Sequence, residues 1–243
     1  MDEDAPVDPD DPETIQWHRD ATTSRSVRLL WSFGVGTFFA MIAIVVAWRL
    51  YELALQGGFE PVVVATVAAI AVTILSLAVD PRAERRLQSL ATRLSLSAPS
   101  ERGLERAIDA AVATLAMGVV IGGLMGLGRL ALEVEPLSRI GPGPFTGLAA
   151  LLLPVALVAF VLSSFLRSSG VLDRDEGVLY LRDPDHAIDL DVIVDVSIRE
   201  LGDAAVVTLT YAQPDGQYVP GPRRIVVPPA VADELAQTVR GTV

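Results

Sequence analysis

A chain of 243 residues that is 51% hydrophobic is more apolar than soluble globular chains usually are. Its 30 acidic side chains outweigh 19 basic ones, every basic residue is Arg, and the formal net charge is -11, so no nucleic-acid partner is expected. The chain has no cysteine, which removes disulfides, thiolate metal sites and cysteine nucleophiles.

Residues 1–27 are acidic and rich in proline, with sparse apolar residues. That composition predicts a disordered tail. Trp17 stands just ahead of the first apolar run, where it reads either as an interfacial anchor or as incidental, and His18 beside it reads as solvated.

Residues 28–167 hold four long apolar segments, predicted as transmembrane helices over about 29–50, 61–79, 107–130 and 146–167. Leu29 to Trp48 carries no charged residue, and at about 1.5 Å rise per residue it matches a hydrocarbon core roughly 30 Å thick. Pro61 opens the second segment at a position where its missing amide costs least. The third lies between Asp109 and Arg129, and the fourth contains Pro154. The long acidic tail and the lack of a small-residue cleavage site argue against a signal peptide.

Arginines near the segment ends predict the orientation. Arg19, Arg25 and Arg28 precede the first segment, only Arg49 lies in the first connection, and Arg82, Arg85, Arg86, Arg93, Arg102 and Arg106 lie in the second. A cytoplasmic second connection places both termini in the cytoplasm. Within it, residues 82–97 place Leu87, Leu90, Ala91 and Leu94 at helical spacing. This amphipathic segment would set Arg82, Arg85, Arg86 and Arg93 against anionic lipid headgroups. A plainer reading is a helical extension whose arginines only enforce topology.

Gly118, Gly122 and Gly126 recur every fourth residue in the third segment, a spacing that lets another helix approach closely. Helix packing is the expectation, with a pore lining as its rival. Gly34 and Gly36 give a weaker version of the same signal. Pro154 is expected to kink the fourth helix. No segment carries an ionisable residue at its centre, which disfavours a proton-coupled carrier. Thr73 is expected to bond to its own helix backbone.

Catalysis has no visible address. The two histidines, His18 and His186, belong to no spaced ligand set, and Asp173, Asp175 and Glu176 before Gly177 lack the glycine position and bidentate Glu of a calcium loop. No phosphate loop, nucleophile elbow or zinc-protease motif is present, so neither cofactor nor metal is expected. Arginine in place of lysine on an acidic chain is similar to proteins of salt-adapted archaea, with coding bias as the plainer cause.

From Gly170 the period shifts from helical to two. Val171–Asp173 and Val178–Leu181 form a hairpin about Asp175-Glu176-Gly177. One long strand follows, with Ile188, Leu190, Val192, Val194, Val196 and Ile198 on one face. After the turn at Leu201-Gly202-Asp203, Ala205, Val207, Leu209 and Tyr211 alternate inward. Arg224–Val227 gives a last strand, and Val231, Leu235 and Val239 line one face of a closing helix that Pro229 begins.

This order of strands, with Arg224-Ile225-Val226-Val227-Pro228-Pro229 leading into the helix, resembles the bacterial PH-like domain family of small prokaryotic membrane proteins. The resemblance implies a β-rich interaction module over residues 168–243 and no assigned activity. The expected architecture is thus a four-helix membrane bundle followed by a small cytoplasmic PH-like domain. The expected function is non-enzymatic, with the lipid bilayer and either a protein partner or a second copy as contacts. The alternative is a small transporter or channel subunit using the glycine face of the third helix.

Overall fold

The apolar runs and the alternating strands fold into two units, residues 30–161 and residues 1–29 with 162–243. The computed structural model describes residues 13–80, 100–135, 139–182, 185–212 and 221–242.

Among the described residues the second unit contains seven strands. A four-stranded antiparallel sheet runs β1 (Thr14–Arg19), β2 (Ser168–Asp173), β3 (Val178–Arg182) and β4 (Asp185–Asp189). A three-stranded sheet runs β5 (Ile193–Leu201), β6 (Ala204–Tyr211) and β7 (Arg224–Val227). The closing helix, Pro229–Thr242, packs chiefly on β5.

The strand β1 corrects the expectation of a disordered tail. Thr14–Arg19 pairs with β2 along its whole length, with Trp17 opposite Gly170. Trp17 is 6% exposed and belongs to the core, so it is not an interfacial anchor. The physical reason is burial on one face of a half-buried strand, where Trp17 covers β2. An added Cβ at Gly170 would meet the indole at 2.5 Å, so the glycine is what lets the ring lie there. Residues 1–12 of the predicted tail lie outside the described ones.

The hairpin about Gly177 forms as expected, with that residue at φ 66°. The single long strand does not. A 3-10 turn at Leu190–Val192 divides it into β4 and β5, and the register shifts between Ile193 and Asp195. Ile188, Leu190 and Ile193 consequently point inward while Val194 is 55% exposed. A bulged residue breaks strict alternation, which period-two reading cannot foresee. His186, expected in a turn, is an exposed residue of β4. On β6, Ala205, Val207, Leu209 and Tyr211 are all buried as their alternation predicts, and so are Val231, Leu235 and Val239 on the closing helix.

The first unit takes its apolar surface from α1 (Arg25–Gly57), α2 (Glu60–Val79), α3 (Glu101–Glu133) and α4 (Gly143–Phe165), and the closing helix is α5. All four helices are long and apolar enough to cross a membrane. Each agrees with a predicted span; α1 and α3 extend it at both ends. A small core gathers Ala40, Ile121 and Ala149 with Met41, Ile44, Met117, Leu124 and Leu152 around them. Beyond it Thr37, Leu104, Ala131, Ala156 and Ala159 are buried, whereas α2 has no buried residue.

Candidate functional site

The four helices carry no ionisable residue at the centres of their apolar spans. Their hydroxyls bond to their own backbone, Thr73 to the Ala69 carbonyl at 2.7 Å as expected, Thr37 to Phe33 at 2.7 Å and Thr114 to Ala110 at 2.7 Å. This back-bonding satisfies a hydroxyl without a partner helix.

The glycines reverse the expected roles. A Cβ added at Gly118, Gly122 or Gly126 meets nothing within 4 Å, so among the described residues this face packs against no helix. The close approaches are at Gly34, whose added Cβ would sit 2.8 Å from the Phe160 Cβ, and at Gly36, where Ala113 Cβ would be 2.6 Å away. Spacing alone marks a face open to approach, whereas packing needs a partner surface.

Pro154 lies inside α4 and lines a cleft between that helix and α1. The cleft holds about 680 Å³ and is bounded by Gly34, Phe38, Phe39, Leu157 and Phe160 among others, all without a polar side chain. Such a surface accepts hydrocarbon and offers nothing to orient a polar solute. Arg82, Arg85, Arg86 and Arg93 lie outside the described residues, as does the amphipathic segment 82–97.

Among the described residues the densest polar arrangement joins the tip of the β5–β6 hairpin to the start of α1. Between β1 and α1 the chain turns tightly at Asp20, whose carboxylate accepts from the Thr22 amide at 2.7 Å and the Thr22 hydroxyl at 2.5 Å. Ser24 follows and caps α1, its Oγ accepting from the Val27 amide at 3.4 Å. Asp203 then reaches the same helix end: Ser24 Oγ donates to its Oδ2 at 2.8 Å, and Ser26 Oγ to its Oδ1 at 2.5 Å. The Ser26 amide adds a longer bond at 3.4 Å.

Arg19 completes the cluster at 5% exposure. Its guanidinium donates to the Asp203 backbone oxygen, to Asp203 Oδ1 at 3.3 Å and to Ser24 Oγ at 3.0 Å. Burial pushes the Asp203 carboxyl up, but the hydrogen bonds from Ser26 and Ser24 and the Arg19 charge outweigh it. The group is held well below the ordinary value of 3.8. A carboxylate at a helix N-terminus also faces the positive end of the helix dipole.

Chemically this arrangement is an anchor. His18 reaches only the Asp20 carboxylate, at 3.3 Å, and the hydroxyls are spent on the carboxylates, Thr22 on Asp20 and Ser24 and Ser26 on Asp203. Among the described residues no group of three or more His, Asp or Glu could hold a metal ion. Sequence reading placed Asp203 in a turn and could have recognised Ser24 as a cap, since Ser ahead of an apolar periodic run is a start signal. Nothing local in the sequence links residues 179 positions apart.

Comparison with known proteins finds no matching family model, no matching curated protein and no matching solved structure.

Proposed function

We propose that this chain is a multi-pass membrane protein without enzymatic activity, whose β unit is a PH-like module for binding another protein or a second copy of the chain. The observation that carries it is the pairing of β1 with β2. The first strand precedes α1 and the second follows α4, yet they share one sheet. Only an even number of crossings returns the chain to the side from which it left, and among the described residues four apolar helices lie between them.

Exposed apolar surface supports insertion. Among the described residues, every exposed large hydrophobic side chain apart from Val194 and Leu201 lies between Leu29 and Phe165. Leaving that much hydrocarbon in water costs roughly 25 cal/mol per Å², whereas lipid removes the penalty. Seven strands in sheets of four and three, closed by a C-terminal helix, support the PH-like reading once β1 supplies the seventh strand. The arginine distribution favours the cytoplasm for both termini. No observation favours the transporter reading, because the glycine face meets no helix among the described residues and the cleft at Pro154 is apolar.

Two measurements test the proposal. The chain should stay in the membrane pellet through alkaline carbonate washing, and tags at both ends should resist protease added outside intact cells. A chain released by carbonate, or a single protected terminus, overturns the topology. Labelled chains in nanodiscs should bleach in two or more steps, or capture a protein partner; chains that do neither overturn the interaction role.

A further inference from the structure

The inference concerns β5 and deepens the self-association reading, on which it rests. β5 is the longest strand of the β unit, nine residues from Ile193 to Leu201, and it is an edge: it pairs with β6 on one side and with no described strand on the other. A long open edge presents unpaired amides and carbonyls and is a template for a further strand.

Three observations say what that strand is. First, the charges are self-complementary. Asp195, Ser197 and Arg199 are exposed, and Ser197 lies midway between an acid and a base. In an antiparallel pair about a two-fold axis at Ser197, Asp195 of each copy falls opposite Arg199 of the other, and Val196 falls opposite Ile198. Opposite charges directly across strands attract and like charges repel. Neither Asp195 nor Arg199 forms an ion pair with another described residue.

Second, the only exposed large apolar residues beyond Phe165, among the described residues, are Val194 and Leu201, near the two ends of this strand. Third, the core is unfinished along the same line. Val196 and Ile198 pack on the core but remain partly exposed, and a groove of about 250 Å³ opens between Val194, Val196, Ala236 and Val239, rimmed by Asp195 and Arg240.

We infer that β5 is a homodimer interface, in which two copies join edge to edge across Ser197 into a continuous six-stranded antiparallel sheet. The arrangement is isologous and therefore closes at two copies rather than growing into a filament. The open edge is consumed by the pairing itself.

The absence of native cysteine makes the test clean. Residues facing across an antiparallel pair have Cα atoms about 4.5–5.5 Å apart, within the roughly 4.4–6.8 Å that a disulfide spans. Full-length Ser197→Cys, oxidised in its membrane, should run as a covalent dimer on a non-reducing gel. Thr210→Cys, exposed on β6, should remain a monomer. In nanodiscs, Asp195→Arg and Arg199→Asp should each weaken dimerisation about tenfold or more, since each replaces two symmetry-related attractions with repulsions. The double exchange should restore it to within about threefold, which a merely misfolded variant would not do.

If Ser197→Cys stays uncrosslinked while labelled wild-type chains bleach in two steps, self-association uses another face: this inference fails and the broader reading stands. If Ser197→Cys crosslinks to a different protein, the second copy is the wrong occupant. If wild-type chains bleach in single steps, self-association fails with it.

Discussion

The two units sort their apolar residues in opposite directions. In the β unit the largest side chains go inside: Leu172, Leu179, Leu209 and Leu235 are at most 2% exposed. In the helices the inside belongs mostly to small residues, Ala40, Ala149, Ala156 and Thr37, with Ile121 the large exception at the core, while Val119 is 76% exposed and Val72 66%. With the helices in lipid, as proposed, one chain obeys two solvents. Water drives the β unit together by expelling hydrocarbon, whereas helices surrounded by lipid gain nothing from that and rely on close van der Waals approach.

Trp17 separates the two regions most directly. If β1 belongs to the water-driven core, Trp17→Ala should destabilise the β unit by about 3–5 kcal/mol. The measure is the unfolding midpoint of the full chain in detergent, and an unchanged midpoint would return residues 14–19 to the status of a tail. Next in size is arginine carried into both regions. At Ile70, 54% exposed in the middle of α2, it should weaken membrane insertion by about 2.5–3.5 kcal/mol. At Thr210, exposed on β6, it should change stability by less than about 0.5 kcal/mol. Equal effects would mean that the two exposed surfaces meet the same solvent.

Within the helices the comparison sharpens further. Gly36→Leu drives a side chain into Ala113 and should cost about 1–3 kcal/mol of thermal stability in detergent. Gly122→Leu meets open space and should leave the isolated chain unaffected. A reversal of these two results would restore the packing role that spacing suggested for Gly118, Gly122 and Gly126.

Much of this was legible in the residues. Four charge-free runs set the helices, and strict alternation set β6, because a long apolar helix and a half-buried sheet impose their patterns directly on the chain. What escaped were features fixed by distant partners. Thr14–Arg19 alternates too briefly to stand out, and its strand exists only because β2, far along the chain, supplies an edge and Gly170 a place for the indole. The break at Leu190–Val192 escaped because Leu190 and Val192 keep the alternation even where the backbone leaves the strand. The anchor at α1 escaped because Asp203 is one more hairpin-turn acid until Arg19, Ser24 and Ser26 surround it.

The smallest effect falls at that anchor and separates the regions by pH. Asp203 titrates below its ordinary value of 3.8 in the folded chain, so its ionised form stabilises the fold at any pH above that value. As pH falls below 3.8 the unfolded chain takes up a proton first, and the contribution shrinks until the folded carboxyl is itself protonated. The side chain is 36% exposed, and solvent screening limits its contribution to about 1 kcal/mol. Asp203→Asn should therefore lower stability by about that amount at pH 7. The gap between the variant and the wild type should narrow as the pH falls below 4, since asparagine does not titrate. A gap that persists unchanged at pH 3 would assign the loss to geometry rather than charge. The spans of the helices carry no ionisable residue at their centres, so helical signals should follow neither the variant nor the acid.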